Sequence, residues 1–333
     1  MSKSKISVVM PVYNTKEEFF REAISSILSQ SYADFELLIV DDFSDFYIKD
    51  IVFSYNDTRI KYFRLNKNSG AAIARNYAIE RAVGDYIAFL DSDDFSKKDR
   101  FEKQIDFFIS NPEIGCLGTA VDAIGDDAKD VNFIPYKTHF EIESNLIFNG
   151  CVFCQSSVMI RKSVIEKNNI RYKNEYVPAE DYGFWLDMVG HTKFAILPEK
   201  LTTYRYHLAN ISHTQRDIQR EKRGLAQICA FQKYCNIKFE NINLWSKFFM
   251  GTPFSRDELK ELEDRIGPIL DSLISKGYPK KDLMYFFKKK FKKHFHRTRT
   301  IPGQWRLMNS KLSKIFRLKL RWRIFYFVTR GIL

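Results

Sequence analysis

The stretch Gly84-Asp85-Tyr86-Ile87-Ala88-Phe89-Leu90-Asp91-Ser92-Asp93-Asp94 constrains this chain more than any other. Tyr86 to Leu90 is an unbroken apolar, β-prone run, the pattern of a strand buried on both faces of a parallel sheet. It ends in carboxylates. Open α/β sheets bind ligands beyond the carboxyl ends of their strands, so Asp91, Asp93 and Asp94 are expected at the lip of a crevice. Asp91 and Asp93 point the same way if the strand persists, and hard oxygen donors at that spacing suit Mg²⁺ or Mn²⁺ shared with substrate phosphates. On this stretch alone, an acidic turn capping a helix that begins near Ser96 is equally open.

The preceding residues decide between these readings. Lys5 to Met10 reads as a short strand ended by Pro11-Val12-Tyr13-Asn14, and Thr15-Lys16-Glu17-Glu18 matches a capping box ahead of Phe19, Phe20, Ala23, Ile24, Ile27 and Leu28 at helical spacing. Phe35 to Val40 is a second strand, closed by Asp41-Asp42, and Ile60 to Leu65 a third. Gly70 opens a helix to about Val83, with Ala71, Ala74, Ala78 and Ala82 as small packing residues and Arg75-Asn76 in its first turns. Alternating strands and helices with right-handed crossovers make a doubly wound, nucleotide-binding half. Tyr13-Asn14, Asp41-Asp42 and Asp91-Ser92-Asp93 then share one sheet edge, which favours a ligand site over a capped turn. No G-x-G-x-x-G follows the first strand and no G-x-x-x-x-G-K-[ST] occurs, which disfavours a dinucleotide-dependent dehydrogenase and a P-loop NTPase.

Further on, Lys98 to Ile109 reads as a helix, Ile114 to Val121 as a strand, Asp122 to Asp130 as a solvated acidic loop, Phe140 to Phe148 as a helix and Cys151 to Ile160 as a strand. Glu180-Asp181 precede a helix carrying Trp185. They read either as first-turn acids favoured by the helix dipole or as a partly desolvated base beside apolar rings. Lys193 to Pro198 and Leu201 to Tyr206 close the domain as two strands, and the pattern beyond about Gln215 is helical.

Net charge is +12, but from Lys276 to Leu333 there are 18 Lys or Arg against one acid, Asp282, so the body before the tail is mildly acidic. The basic character belongs to attachment or partners, not to the crevice. Leu312 to Val328 alternates basic and apolar residues, as either an interfacial helix or a strand. No run reaches the roughly 18 apolar residues of a spanning helix. Without a signal-peptide pattern, five cysteines fit a reducing cytosol, and the lone pair Cys151 and Cys154 is expected to pack in the core, not to bind zinc.

Over roughly residues 5 to 215 the chain resembles glycosyltransferase family 2, the inverting, nucleotide-sugar-dependent transferases of GT-A fold. The resemblance rests on Pro11-Val12-Tyr13-Asn14, Asp41-Asp42, Asn68-Ser69-Gly70 through Ala74-Arg75-Asn76, Gly84-Asp85-Tyr86, Asp91-Ser92-Asp93 and Glu180-Asp181 ahead of Trp185. It implies an α/β, Rossmann-like, mostly parallel sheet in a catalytic domain of residues 1–215, with a basic helical extension over 216–333. Pro11 and Tyr13 would flank the nucleobase, and Asp42, with Asp41, would bond its edge. Arg75 would support the nucleotide or its phosphates, Asp91 the ribose with Ser92 beside it, and Asp93 would ligate Mn²⁺ or Mg²⁺. Asp181 would be the general base.

Glu180, Trp185, Arg205 and His207 are expected at the acceptor or diphosphate, although Arg205 and His207 also fit a plain strand-end turn. Gln304-Trp305-Arg306 lacks the Q-x-x-R-W spacing of processive members, so a single addition is implied. A UDP-hexose or UDP-N-acetylhexosamine donor and a glycan or lipid-linked saccharide acceptor follow from the resemblance. So does a cytoplasmic, peripheral place on an anionic membrane surface, in cell-surface polysaccharide or lipopolysaccharide synthesis.

Two other classes compete. A nucleic-acid binder could use Lys288 to Lys293 and the interleaved aromatics, but an acidic crevice repels a polyanion. A membrane-docked, non-catalytic scaffold has no need of crowded carboxylates.

Overall fold

The computed structural model describes residues 5–46, 48–125, 138–207, 210, 214–235, 241–250, 254–275 and 277–288 apart from 279, 282 and 286. Residues 289–333 of the basic tail, the Leu312 to Val328 stretch included, lie outside the described residues, as do residues 126–137 of the expected acidic loop and its sequel. The chain divides into two compact units, Met1–Arg223 and Gly224–Leu333.

The first unit is built on an eight-stranded sheet of order β3-β2-β1-β4-β7-β6-β8-β5. Its strands are β1 (Ile6–Val12), β2 (Phe35–Asp41), β3 (Ile60–Arg64), β4 (Tyr86–Phe89), β5 (Phe95–Ser96), β6 (Ile114–Ile124), β7 (Met159–Arg161) and β8 (Lys193–Arg205). β3, β2, β1 and β4 run parallel, with Ile6 level with both Phe35 and Tyr86. β7 is antiparallel to β4 and to β6, β8 is parallel to β6, and β5 is antiparallel to β8.

Alternation splits the strand residues between two faces. Val8, Met10, Leu37, Ile39, Ala88 and Leu90 share a core with Phe20, Ala23, Ile24 and Ile27 of α1 (Glu17–Leu28), Ile51 and Val52 of α2 (Ile48–Phe53), and Phe101, Ile105 and Phe108 of α4 (Arg100–Ser110). Val9, Leu38, Val40 and Phe89 are buried outside that cluster, where α3 (Ala71–Arg81) lies against β1 and β2 with Ala72, Ala74 and Ala78 buried. The alanines let helix and sheet approach closely. Gly84 does the same for the chain, since a Cβ there would stand 2.7 Å from Lys5 O and Ser7 N.

Four expectations change. Helix α1 is capped by Lys16 with no side-chain bond, because the Thr15 hydroxyl is taken by Ser92, 2.6 Å away. Ser96 caps nothing; it pairs with Thr202 in β5. The strand expected from Cys151 shrinks to β7, because Gln155–Ser157 form a 3₁₀ turn whose hydroxyls bond Asp94 and Cys154 O. The two closing strands are one, β8, with a bulge that skips Pro198 and Glu199 against β6.

Helices α5 (His139–Phe148), α6 (Lys162–Lys167) and α7 (Glu180–Asp187) complete the packing of this unit. The second unit holds most of α8 (Arg216–Cys235), together with α9 (Ile242–Met250) and α10 (Arg256–Ser275). Its own core gathers Phe231, Trp245, Phe248, Leu262, Ile266 and Leu273. No helix among the described residues is long and apolar enough to cross a membrane.

Candidate active site

The ends of β1, β2 and β4 bring Tyr13, Asp42 and Asp91 to one edge of the sheet. Tyr13 is 47% exposed just beyond β1, while Pro11 remains in the strand opposite Val40. Asp41 is fully buried. It accepts from Ser44 N at 2.8 Å, Tyr62 Oη at 2.8 Å and Arg64 Nη1 at 2.7 Å, and burial together with this bond pushes the Tyr62 hydroxyl up to about 12. With its oxygens engaged out of solvent, Asp41 braces the β2 exit and does not face the crevice as expected. Asp42 accepts from Ser69 N and Gly70 N, each at 2.7 Å, and so fixes the turn into α3, where Gly70 takes a φ of 90°. Burial, with Asp41 adjoining, raises the Asp42 carboxyl above its ordinary range.

Arg75, one turn into α3, is the hinge of the site. Its Nη2 donates to Asp91 Oδ1 at 2.8 Å and its Nη1 to Glu180 Oε1 at 2.9 Å, and its guanidinium lies 5.5 Å from the Tyr172 ring centroid. Burial works against the cation, but the two carboxylates hold its proton more firmly than usual. Arg75 was expected on the nucleotide, yet it is buried and its charge is spent on Asp91 and Glu180. The neighbouring Asn76 exchanges two hydrogen bonds with the Tyr172 backbone, 2.8 and 2.9 Å, so α3 positions the 172 segment as well.

Glu180 and Asp181 open α7. Glu180 is paired with Arg75, which it shares with Asp91. Asp181 is left with a carboxyl pushed up to about 6, first by burial and then by the charge of Glu180, against the pull of Arg223 and of Tyr182 N. That is the range of a working base at neutral pH. Trp185, expected toward the acceptor, is fully buried among Phe89, Phe153 and Phe184 at 5.3–6.1 Å between ring centroids, and serves the core.

Beyond β4 the acidic turn meets the end of β8. Ser92 is buried, and its hydroxyl lies 2.6 Å from that of Thr15. Asp93 Oδ2 lies 3.0 Å from His207 Nε2, with the two side chains 25% and 32% exposed. Asp94 is buried and accepts from Ser156 Oγ and Arg205 N at 2.5 and 2.8 Å; burial and the neighbouring Asp93 and Asp91 raise its carboxyl far above the ordinary range. Arg205 also donates to Asp93 O at 2.9 Å, pairs with Glu22, and lies 4.1 Å over the Phe19 ring, which stacks on His207. Asp94 stands at the lip with Asp91 and Asp93 as the sequence leads one to expect, whereas Thr15, Phe19, Glu22 and Tyr172 carry no site signal in the sequence.

Among the described residues no three His, Cys, Asp or Glu gather as a complete cation cage. Asp93 nonetheless offers a hard oxygen of the kind Mg²⁺ or Mn²⁺ takes alongside waters and substrate phosphates, and the His207 imidazole beside it would suit the transition metal better. The chemistry available is thus a carboxylate and an imidazole 3.0 Å apart on one side and the raised carboxyl of Asp181 on the other, with Asp91, Arg75 and Glu180 linked between them.

Residues 7–168 match the model of glycosyl transferase family 2. A UDP-Glc:alpha-D-GlcNAc-diphosphoundecaprenol beta-1,3-glucosyltransferase, WfgD of Escherichia coli, is 30% identical over 219 residues, covering 66% of this chain and 83% of that protein. Staphylococcus aureus TarS (residues 1–349) in complex with UDP-GlcNAc superposes with a TM-score of 0.62 at 18% identity, covering 94% of this chain and 91% of that one. The mannosyltransferase PcManGT of Pyrobaculum calidifontis, in complex with GDP-Man and Mn²⁺, superposes with a TM-score of 0.51 at 14% identity over 95% of this chain and 88% of that one.

Proposed function

The chain belongs to glycosyltransferase family 2, and from that premise we propose that it adds a single sugar, with inversion, from a UDP-hexose or UDP-N-acetylhexosamine to a hydroxyl of a glycan or lipid-linked saccharide. The observation that carries the reading is Arg75 bridging Asp91, at the lip of β4, to Glu180, beside the raised carboxyl of Asp181. One counter-ion orders both carboxylate clusters and leaves Asp181 as the free base. UDP-GlcNAc in TarS and the diphosphoundecaprenol-linked sugar in the name of WfgD support the donor and acceptor classes.

Tyr13 and Pro11 flank the nucleobase, the Asp42-anchored turn meets its edge, and Asp91 takes the ribose hydroxyls. Asp41 and Ser92 act as positioning residues behind them. Asp181 accepts the proton of the acceptor hydroxyl as that oxygen bonds to the anomeric carbon. The sugar–phosphate bond breaks on the opposite face, and its electron pair leaves with the nucleoside diphosphate. A divalent cation held by Asp93 and His207 would neutralise charge on that diphosphate, favouring the transition state over the ground state. Arg205 keeps the cation side in place through Asp93 O, Asp94 and Glu22. The catalytic domain is residues 1–215, and the basic region after it holds the enzyme on the anionic inner face of the membrane.

The test is nucleoside diphosphate release from a panel of nucleotide sugars with Mn²⁺ or Mg²⁺, with and without EDTA and acceptor. Release from one donor, abolished by EDTA and by Asp181→Asn, is the expected result. Undiminished release by Asp181→Asn removes Asp181 as base, and failure of every donor to bind by calorimetry removes the reading.

A further inference from the structure

Phe43 immediately follows Asp42 at the end of β2, and it is held at a φ of 68°. That is the left-handed region, where a Cβ-bearing aromatic residue is strained and glycine is not. Burial does not offset the strain, because the ring is 44% exposed. The conformation is imposed by neighbours on both sides. Ser44 N donates to Asp41 Oδ1 at 2.8 Å, and Arg64 Nη2 donates to Ser44 O at 2.8 Å. Asn14 and Asp45 exchange two hydrogen bonds of 2.7 and 2.9 Å, lacing the β1 exit to the β2 exit, and Asn14 N donates to Ser44 Oγ at 3.0 Å. Such strain persists where the surroundings over-determine it, and it gathers at ligand clamps.

The placement names the ligand. Tyr13, Phe43 and Arg64 lie at the ends of three adjacent parallel strands, so Phe43 stands one strand spacing, about 4.8 Å, farther from Asp91 than Tyr13 does. The Arg64 guanidinium covers one face of the Phe43 ring, 4.9 Å from its centroid, on the β3 side. A planar heterocycle lying beside Tyr13 and Asp42 and reaching past β1 would meet the chain next at the β2 exit, where Phe43 stands 44% exposed.

We propose that Phe43 is a specificity-determining residue that closes the nucleobase end of the crevice, contacting a pyrimidine and leaving no room for the second ring of a purine. The inference rests on the nucleotide-sugar reading and deepens it. A strained, half-exposed ring is then explained by what it excludes.

The experiment measures UDP, CDP, GDP and ADP binding by calorimetry in the presence of Mn²⁺, for the wild type, Phe43→Gly and Phe43→Leu, with thermal unfolding of each. The wild type is expected to prefer pyrimidine nucleotides by about tenfold or more. Phe43→Gly should lose about tenfold on UDP, the scale of one base–aromatic contact, while GDP binding holds or improves. Its Tm should match or exceed that of the wild type, because the strain is gone, whereas Phe43→Leu keeps the strained backbone, gains no Tm and loses the contact. Wild-type selectivity in Phe43→Gly, a purine preference in the wild type, or a lowered Tm with unchanged affinities each overturns the proposal. A wild type that binds none of the four nucleotides overturns the nucleotide-sugar reading and this inference with it.

Discussion

Strands β1 to β4 deliver their site residues from the ends of consecutive parallel strands, while β5 to β8 and α7 deliver theirs through contacts that reach far back along the chain. On the near side, Tyr13, Asp42 and Asp91 each follow an apolar strand within a few residues. On the far side, Glu180 is held 105 residues from its partner Arg75, His207 114 residues from Asp93, and Arg205 183 residues from Glu22. A regular sheet edge is well suited to hold a rigid donor. Long-range ion pairs are suited to adjust a base and a cation, whose positions and proton affinities depend on a few charges.

If the near half binds and the far half reacts, the sharpest division should appear in Asp181→Asn. Transfer should fall by about 10²- to 10⁴-fold, the usual contribution of a general base, with UDP affinity unchanged by calorimetry. An equal fall in affinity breaks the comparison. Arg75 belongs to both halves, so Arg75→Met should harm both. It leaves Asp91 and Glu180 facing each other without a cation, and urea unfolding should show a loss of about 3–5 kcal/mol, as for other buried pairs robbed of one partner. A loss confined to activity would place Arg75 on substrate instead.

His207→Ala should weaken Mn²⁺ binding by at least about tenfold, read by titration in the absence of donor. Unchanged metal affinity returns His207 to a plain strand-end turn. Because burial pushes the Asp181 carboxyl up to about 6, kcat/KM should fall roughly tenfold per pH unit below that value and level off above it. The sign for stability is opposite. A carboxyl raised by folding stabilises the fold most below its unfolded value and loses that contribution as pH rises through about 6, so Asp181→Asn should unfold at a higher temperature than the wild type at pH 7 and above. The smallest effect is expected at Thr15→Val, which strips the Ser92 hydroxyl of its partner and should cost about 1 kcal/mol with little change in donor affinity.

The same division governs what could be read from sequence. Apolar runs closed by Asp41-Asp42 and by Asp91-Ser92-Asp93 announce strand ends, so the GT-A fold and the near lip were legible. Sequence does not say which way an acid faces once the strand is placed, and the buried Asp41 turns to Tyr62 and Arg64. Trp185 stands four residues after Asp181, but on α7 its side chain points into the aromatic core. A hydroxyl beside a helix start reads as a cap, whereas Thr15 finds Ser92, a residue no local pattern connects to it. Phe19 and Glu22 look like ordinary helix positions because their partners, Arg205 and His207, lie at the end of β8.

The long reach of these pairs also sets an order in time. During synthesis β1, β2, β3 and β4 are all available once the first ninety or so residues have emerged, and their parallel core can begin to assemble from the N-terminal end. Asp93, Asp94 and Arg75 must wait about another hundred residues for Glu180, Arg205 and His207. A chain stopped before β8 therefore has Arg75 beside Asp91 but lacks the partners that Arg205 and His207 give to Asp94 and Asp93. The contact between Asp93 and His207 cannot form until the 207th residue has emerged.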